Sequence, residues 1–309
     1  MSTWFGRSIS EDDLVDLHGK VVILTGGNTG IGYATIQMLA RKGAKVYMAA
    51  RSEERAADAI KQLKSEDIKD GSVHWLKLDL TDPRAAKQSA REFLEKEERL
   101  DILSSSADHL VDIMTINHIS HAAFTDVLLP LMKRTASESG SDVRLVNVAS
   151  RGHEFAKPST FSKELLTSKQ SGTSFGTIMD LYGLSKLAMI LYTKALQIRF
   201  NAAAIPITCL TMHPGEISTR GANNTIRTIP YLGWLAGALV PLLFGSPRTG
   251  AMTVAFAAAG KEVAAQREKY QGAYLWPVAE IGIPSSFAVD ARLREELYES
   301  TVLVLKELE

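Results

Sequence analysis

The chain alternates between short apolar runs and longer segments whose apolar positions recur at helical spacing. The runs at 20–25, 45–50 and 143–148 are apolar at most positions, as expected of strands buried on both faces. Further strands are predicted at 73–78, 100–103, 206–212 and 273–276. Helices are predicted at 31–41, 52–64, from Pro83 onward, 110–133, 181–200, 248–259 and 290–307.

Strands that alternate with helices of this length indicate βαβ units and a parallel sheet covered on both faces. The predicted fold is therefore a doubly wound α/β sheet (Rossmann fold) with three α/β/α layers, in one domain over residues 1–309. Two stretches interrupt the alternation, at about 152–178 and 216–247. Both follow strands, where such sheets bind ligands, so we interpret them as substrate-side insertions.

Charge and cysteine content exclude several classes of function. Lys+Arg and Asp+Glu balance at 35 each, without a basic block, so no nucleic-acid partner is expected. The single cysteine, Cys209, lies in a predicted strand and excludes an intramolecular disulfide; an inert core thiol is expected. No arrangement of histidines and carboxylates suggests a metal site. His118, His121 and His153 could line the site, but the sequence fits core or surface roles at least as well.

One uncharged apolar run, 229–244, bears on the location of the protein. It is shorter than the roughly 20 residues of a membrane span and contains Pro and Gly, so a buried or lid segment is favoured. Membrane contact stays open but is not favoured. The first 17 residues lack the apolar core of a secretory signal, and a cytoplasmic location is expected.

A glycine-rich turn at 25–32 follows the first strand and precedes the first helix. Glycines let backbone N–H groups and a helix N-terminus approach a pyrophosphate, so the turn predicts a dinucleotide cofactor. The second strand is followed by Arg51 where an acidic residue would bind the ribose of NAD. A guanidinium pairs well with the 2′-phosphate of NADP, so NADP(H) is predicted over NAD(H), with Arg55 as a second candidate contact.

Tyr182 and Lys186 lie four residues apart in a segment with helical periodicity. Residues i and i+4 share one face of a helix, so the phenol and the ammonium are expected side by side. A free phenol has a pKa of about 10, and a nearby positive charge favours its ionised form. The pair is therefore interpreted as a proton-transfer group, the alternative being an ordinary pair on a helix surface.

Four motifs together resemble the short-chain dehydrogenase/reductase family: the turn T-G-x-x-x-G-x-G, the run V-N-V-A-S ending at Ser150, the Y-x-x-x-K pair, and H-P-G-E-I-S-T at 213–219. The resemblance covers nearly the whole chain. It is nearest to the retinol-dehydrogenase-like and protochlorophyllide-reductase-like branch, because S-R-G-H at 150–153 and the long gap to Tyr182 are typical of it. It implies that the catalytic residues are Asn117, Ser150, Tyr182 and Lys186.

The resemblance also implies the contacts of the cofactor. Asp79 and Leu80 match the position that contacts adenine, and the 213–219 segment matches the one that holds the carboxamide. The predicted cofactor-binding residues are Gly26, Asn28, Thr29, Gly30, Ile31, Gly32, Arg51, Asp79, Leu80, Asn117, Tyr182, Lys186, Pro214, Gly215, Ile217 and Thr219.

The implied activity is hydride transfer between the nicotinamide and a carbonyl or alcohol of a small molecule, with Tyr182 exchanging the proton. The apolar 216–245 segment favours a lipophilic substrate. The resemblance further implies a homodimer or homotetramer assembled through the helices predicted at 110–133 and 181–200.

The chain departs from the family after its fourth strand. Residues 104–108 read S-S-S-A-D where the family has N-N-A-G, and the segment up to Asn117 is unusually short. Serine hydroxyls can replace some of the missing hydrogen bonds, but with shorter reach. The second hypothesis is therefore a catalytically impaired NADP-binding sensor or scaffold, which the intact Asn, Ser, Tyr and Lys set argues against.

Overall fold

A computed structural model of the chain describes residues 8–106, 112–168, 175–215 and 246–308. Within these ranges, eight strands form one sheet. The strands are β1 Val21–Thr25, β2 Lys45–Ala50, β3 Ser72–Lys77, β4 Ile102–Ser105, β5 Val143–Val148, β6 Ile207–Met212, β7 Tyr274–Trp276 and β8 Glu280–Ile281. Their order is β3-β2-β1-β4-β5-β6-β7-β8, and every pair is parallel except the last, which is antiparallel. The strand order reverses between β1 and β4, which creates a crevice at the carboxyl ends of the strands.

Helices cover both faces of the sheet. They are α1 Gly30–Arg41, α2 Glu53–Ser65, α3 Pro83–Leu94, α4 Ser120–Ser137, α5 Lys163–Thr167, α6 Phe175–Ala202, α7 Pro247–Ala259, α8 Lys261–Ala265, α9 Arg267–Tyr270 and α10 Ala291–Lys306. One apolar core packs α3, α4, α6 and α10 against the sheet, and a second packs α1, α2 and α7 against the opposite face. The predicted three-layer fold is confirmed.

Local sequence signals account for several helix ends. Ser52 and Asp82 accept hydrogen bonds from the first turns of α2 and α3, as N-cap residues do. Gly43 follows the end of α1 with φ +92°, a left-handed conformation that favours glycine at this position. Cys209 is buried in β6, and this burial raises the pKa of its thiol, in agreement with an inert core residue.

Three predicted boundaries are wrong. The fourth strand was expected at 100–103 but is Ile102–Ser105, because Ser104 pairs with strands on both sides, against Leu24 and Val146. Parallel pairing here outweighs the poor strand propensity of serine. A π-helical turn, Thr115–Ile119, precedes α4, which ends at Ser137, four residues beyond the predicted end. The predicted start of that helix, Leu110, lies outside the described residues. Helix α6 begins at Phe175, six residues before the predicted start at Leu181.

A buried arginine on β5 anchors the end of α7. The Arg144 side chain is only 1% exposed and pairs with Asp142 at 2.5 Å. Its guanidinium donates to the carbonyl oxygens of Ala257 at 3.2 Å and Gly260 at 3.0 Å. These are carbonyls near the helix C-terminus, where a cation is favoured.

Replacing this arginine tests how much the anchor stabilises the fold. We expect Arg144→Met to lower the free energy of unfolding by about 3 kcal/mol, because it leaves buried carbonyl oxygens without donors. Urea denaturation followed by circular dichroism measures the loss. Arg292→Met is the control: its side chain is 63% exposed, and such a surface pair contributes under about 1 kcal/mol. Equal losses in both variants would contradict the anchoring role.

Candidate active site

The turn between β1 and α1 has the shape of a phosphate cradle. Gly26 and Gly30 have φ values of +70° and +58°, which side chains rarely adopt. A Cβ on Gly32 would lie 2.4 Å from the carbonyl oxygen of Gly26, so the turn closes only with glycine there. A Cβ on Gly30 would meet open space. Asn28, Thr29 and Ile31, predicted to contact the cofactor, lie in the same turn and the first residues of α1.

The N-terminus of α1 suits an anion. No acidic residue lies in its first turn, and the Thr29 side chain makes no capping hydrogen bond. The first backbone N–H groups of a helix have no intrahelical partner and carry partial positive charge. The cradle and the helix start together fit the pyrophosphate of a dinucleotide.

The β1 turn is tied to the end of β4 by a residue that sequence reasoning left without a role. The Thr25 hydroxyl donates to the Ser106 carbonyl at 2.8 Å and accepts from the Ser106 N–H at 2.7 Å. The expectation that serine hydroxyls replace the missing Asn hydrogen bonds fails at Ser104 and Ser105, whose buried hydroxyls have no partner among the described residues. Thr25 instead joins the β1 turn to the end of β4. Its position beside the glycine turn is the sequence feature that could have indicated this role.

The predicted adenosine end lies after β2 and β3. Arg51 is exposed directly beyond β2. Partial burial acts to raise the pKa of Asp79, but hydrogen bonds from the Thr81 backbone and hydroxyl, together with the nearby Arg51 charge, lower it overall. The carbonyl of Leu80 accepts a hydrogen bond from the Ser120 hydroxyl at 2.7 Å, which ties this loop to α4. The Arg51 guanidinium therefore lies close enough to Asp79 to act on its carboxyl.

The predicted catalytic residues meet where α6 passes the carboxyl end of β5. The Lys186 ammonium lies 5.3 Å from the centre of the Tyr182 ring and 3.4 Å from the Val148 carbonyl oxygen. The π-helical turn carries Asn117, which is buried and donates to the Ser185 hydroxyl at 3.1 Å. Ser185 in turn donates to the Tyr182 carbonyl at 2.8 Å. Asn117, Tyr182 and Lys186 are thus brought together, with Ser185 as a connecting residue that the sequence did not single out.

The Ser150 hydroxyl and the Tyr182 ring both lie beside Gly152. A Cβ on Gly152 would lie 2.9 Å from the Tyr182 ring and 3.5 Å from the Ser150 hydroxyl oxygen. A Cβ on Gly183 would lie 2.7 Å from the Gly152 carbonyl oxygen, so two glycines let the Ser150 turn approach α6 closely. The Ser150 hydroxyl accepts from the Gly152 N–H at 3.1 Å. This leaves its own hydrogen to donate elsewhere.

The end of β6 carries the predicted carboxamide segment. The N–H of Gly215 donates to His213 Nδ1 at 3.1 Å, beside Pro214. Burial, aided by the positive charge of Arg151, lowers the pKa of His213 to about 4, so this ring is neutral near pH 7. Ile217 and Thr219, predicted to complete the segment, lie outside the described residues, as does the apolar run 229–244.

The described ranges contain no helix long and apolar enough to cross a membrane. They also contain no group of three or more His, Cys, Asp or Glu residues placed to hold a metal ion. His118 is buried, and its Nε2 is hydrogen-bonded to the Thr301 hydroxyl at 2.9 Å. Its ring packs edge-on against Tyr192, so His118 is a core residue.

Comparison with known proteins assigns the family. A family model described as short chain dehydrogenase matches residues 20–160. A short-chain dehydrogenase/reductase of Armillaria gallica is 41% identical over 308 residues, covering 96% of this chain and 96% of the relative. Retinol dehydrogenase 12 of Mus musculus is 32% identical over 267 residues, covering 83% of this chain and 78% of the relative. The chain therefore belongs to the short-chain dehydrogenase/reductase family and is an oxidoreductase.

A solved structure supports the fold independently. The structure described as a Pseudomonas aeruginosa RhlG/NADP active-site complex matches with a TM-score of 0.63 at 24% identity. The match covers 89% of this chain and 98% of that chain. Agreement over this length at such low identity confirms the Rossmann architecture.

Proposed function

We propose that the protein is an NADP(H)-dependent oxidoreductase that interconverts a carbonyl and an alcohol of a lipophilic small molecule. The observation that carries the proposal is the approach of the Ser150 hydroxyl and the Tyr182 ring to the same point beside Gly152. The Lys186 ammonium lies 5.3 Å from the centre of the same ring. A hydrogen-bond donor, a phenol and a cation at one point are what carbonyl reduction requires.

The residues divide the chemistry among them. When bound, the nicotinamide supplies or accepts the hydride. The Ser150 hydroxyl, which accepts from Gly152 N–H, donates its hydrogen to the substrate oxygen and stabilises the charge that develops there. Tyr182 donates the proton to that oxygen in the reducing direction. The Lys186 ammonium stabilises the phenolate that remains, and Asn117 fixes α6 at this point through Ser185.

A lipophilic substrate is supported by apolar side chains on the surface near the site. Phe155, which follows the Ser150 turn, is 65% exposed, and Ile283, beyond β8, is 88% exposed. Two residues after Ile283, the N–H of Ser285 donates to His153, so this apolar segment lies against the Ser150 turn. Exposed apolar groups beside a polar reaction centre suit a substrate with a hydrocarbon body.

Arg51 tests the choice of NADP(H). We expect Arg51→Ala to weaken NADPH binding by about tenfold or more and to leave NADH binding within about twofold, because only NADPH carries the 2′-phosphate. Fluorescence titration with each nucleotide measures both constants. Arg91→Ala, an exposed arginine on α3, is the matched control. Wild-type protein that binds both nucleotides equally would show that Arg51 does not read the phosphate.

Turnover of NADPH with a panel of lipophilic aldehydes and ketones tests the function itself. Consumption that depends on the carbonyl compound supports the proposal. Tight NADPH binding without turnover on any compound would favour the second candidate, a catalytically impaired NADP-binding sensor or scaffold. One observation favours the sensor or scaffold. Within the described part of the chain, the buried hydroxyls of Ser104 and Ser105 beside the crevice have no hydrogen-bond partner. The homodimer or homotetramer and the cytoplasmic location stay predictions.

A further inference from the structure

His153 joins the Ser150 turn to the C-terminal part of the chain. Its Nδ1 lies 2.8 Å from the Ser150 carbonyl oxygen, and its own backbone N–H donates to the same oxygen at 3.1 Å. Its Nε2 accepts from the N–H of Ser285 at 3.1 Å, across 132 residues of sequence. The side chain is fully buried and packs edge-on against Tyr274 of β7, with ring centres 5.1 Å apart.

The contacts of the ring define its tautomer. Because Nε2 accepts from Ser285, Nδ1 carries the hydrogen and donates to Ser150. Burial lowers the pKa of His153, opposed by the Ser150 carbonyl and by Glu154 on the same turn. The other titratable groups that face it are Tyr274 of β7 and His213 at the end of β6. A second ring proton would oppose the Ser285 N–H, so the neutral form is the one that fits.

Three N–H groups therefore hold Ser150. Two donate to its carbonyl oxygen, both from His153, and one donates to its hydroxyl oxygen, from Gly152. The carbonyl has two lone pairs, so His153 occupies both. A hydroxyl that must meet a substrate oxygen to within a few tenths of an ångström needs this kind of support from its neighbours.

We propose that His153 is a positioning residue: its Nδ1–H orients Ser150, and the hydrogen bond from the Ser285 N–H to its Nε2 holds the ring in place. The inference rests on the proposed function, because it concerns the residue that stabilises the developing oxyanion. His153 touches neither cofactor nor substrate in this scheme and acts only through Ser150. The bond to Ser285 fixes the ring in the tautomer that donates to Ser150, so the substrate-side segment beyond β8 supports the catalytic turn.

Three substitutions separate the two ring contacts. An Asn amide nitrogen can take the place of Nδ1, and a Gln amide oxygen can take the place of Nε2, whereas Phe keeps only the ring. We expect His153→Phe and His153→Gln to lower kcat by roughly tenfold, the equivalent of one lost hydrogen bond in the barrier. His153→Asn is expected to stay within about threefold of wild type. NADPH affinity, measured by titration, is expected to stay unchanged in all three.

A double-mutant cycle distinguishes positioning from general support of the fold. If His153 acts through the Ser150 hydroxyl, His153→Phe adds less than about twofold to the loss in kcat already caused by Ser150→Ala. Full additivity of the two losses would overturn the inference. So would recovery of activity by Gln rather than Asn, since the contact with Ser285 alone would then matter. Thermal melting of each variant identifies unfolded protein, and His153→Gln, which is also expected to lose activity, takes the place of His153→Phe in the cycle if His153→Phe does not fold.

The inference and the proposed function fail in different ways. Active wild-type protein with all three His153 variants within twofold of it would overturn the inference alone. Wild-type protein that binds NADPH but reduces no carbonyl would overturn the proposed function, and the role of His153 with it.

Discussion

Tyr182→Phe is expected to lower kcat for carbonyl reduction by a factor on the order of 10³, the usual contribution of a positioned proton donor. The substitution removes one oxygen and keeps the ring that packs against Gly152, so the turn and α6 keep their arrangement. NADPH binding is expected to stay within about threefold, because the cradle at 25–32 and Arg51 are untouched. Stopped-flow measurement of NADPH oxidation in a single turnover gives the loss of rate in the chemical step.

Tyr192→Phe is the matched control for this experiment. Tyr192 lies on the same helix, is buried, and packs between His118 and Tyr298 instead of facing Ser150. Its loss of a hydroxyl is expected to leave kcat within about twofold. Substantial turnover by Tyr182→Phe, with Tyr192→Phe equally active, would mean that the proton comes from another group and would sink the assignment.

The parts of the site that depend on local spacing could be predicted from the sequence. Tyr182 and Lys186 are one helical turn apart, so any helix over this segment brings them to one face. The apolar run of β5 leads directly into Ser150 at the edge where parallel sheets bind ligands. The glycine turn likewise follows from residues adjacent in the chain. Whether these residues perform the proposed chemistry stays a prediction.

The supporting contacts could not be predicted because they join distant residues. Asn117 reaches Ser185 across 68 positions, and Ser285 reaches His153 across 132. A single sequence gives no sign of such pairs, and His153 could equally have been a surface or core residue. The shift of β4 onto Ser104 and Ser105 has the same cause, since strand pairing with β1 and β5 decides its limits.

Gly32→Ala is expected to weaken NADPH binding by about a hundredfold. The added Cβ would lie 2.4 Å from the Gly26 carbonyl oxygen and 2.9 Å from its carbon, and both are backbone atoms that cannot rotate away. The turn must open, at a cost of about 3 kcal/mol, and the N–H groups that would hold the pyrophosphate lose their alignment. Calorimetric titration with NADPH measures the affinity.

Gly176→Ala separates this effect from the general consequences of a glycine substitution. Gly176 is helical, and a Cβ there would meet open space, so binding is expected to equal that of wild type. The overall fold should survive Gly32→Ala, since the clash is confined to the turn and both apolar cores lie elsewhere. Unchanged NADPH affinity in a folded Gly32→Ala protein would mean that the turn relaxes without cost, and the nucleotide would then depend on other contacts.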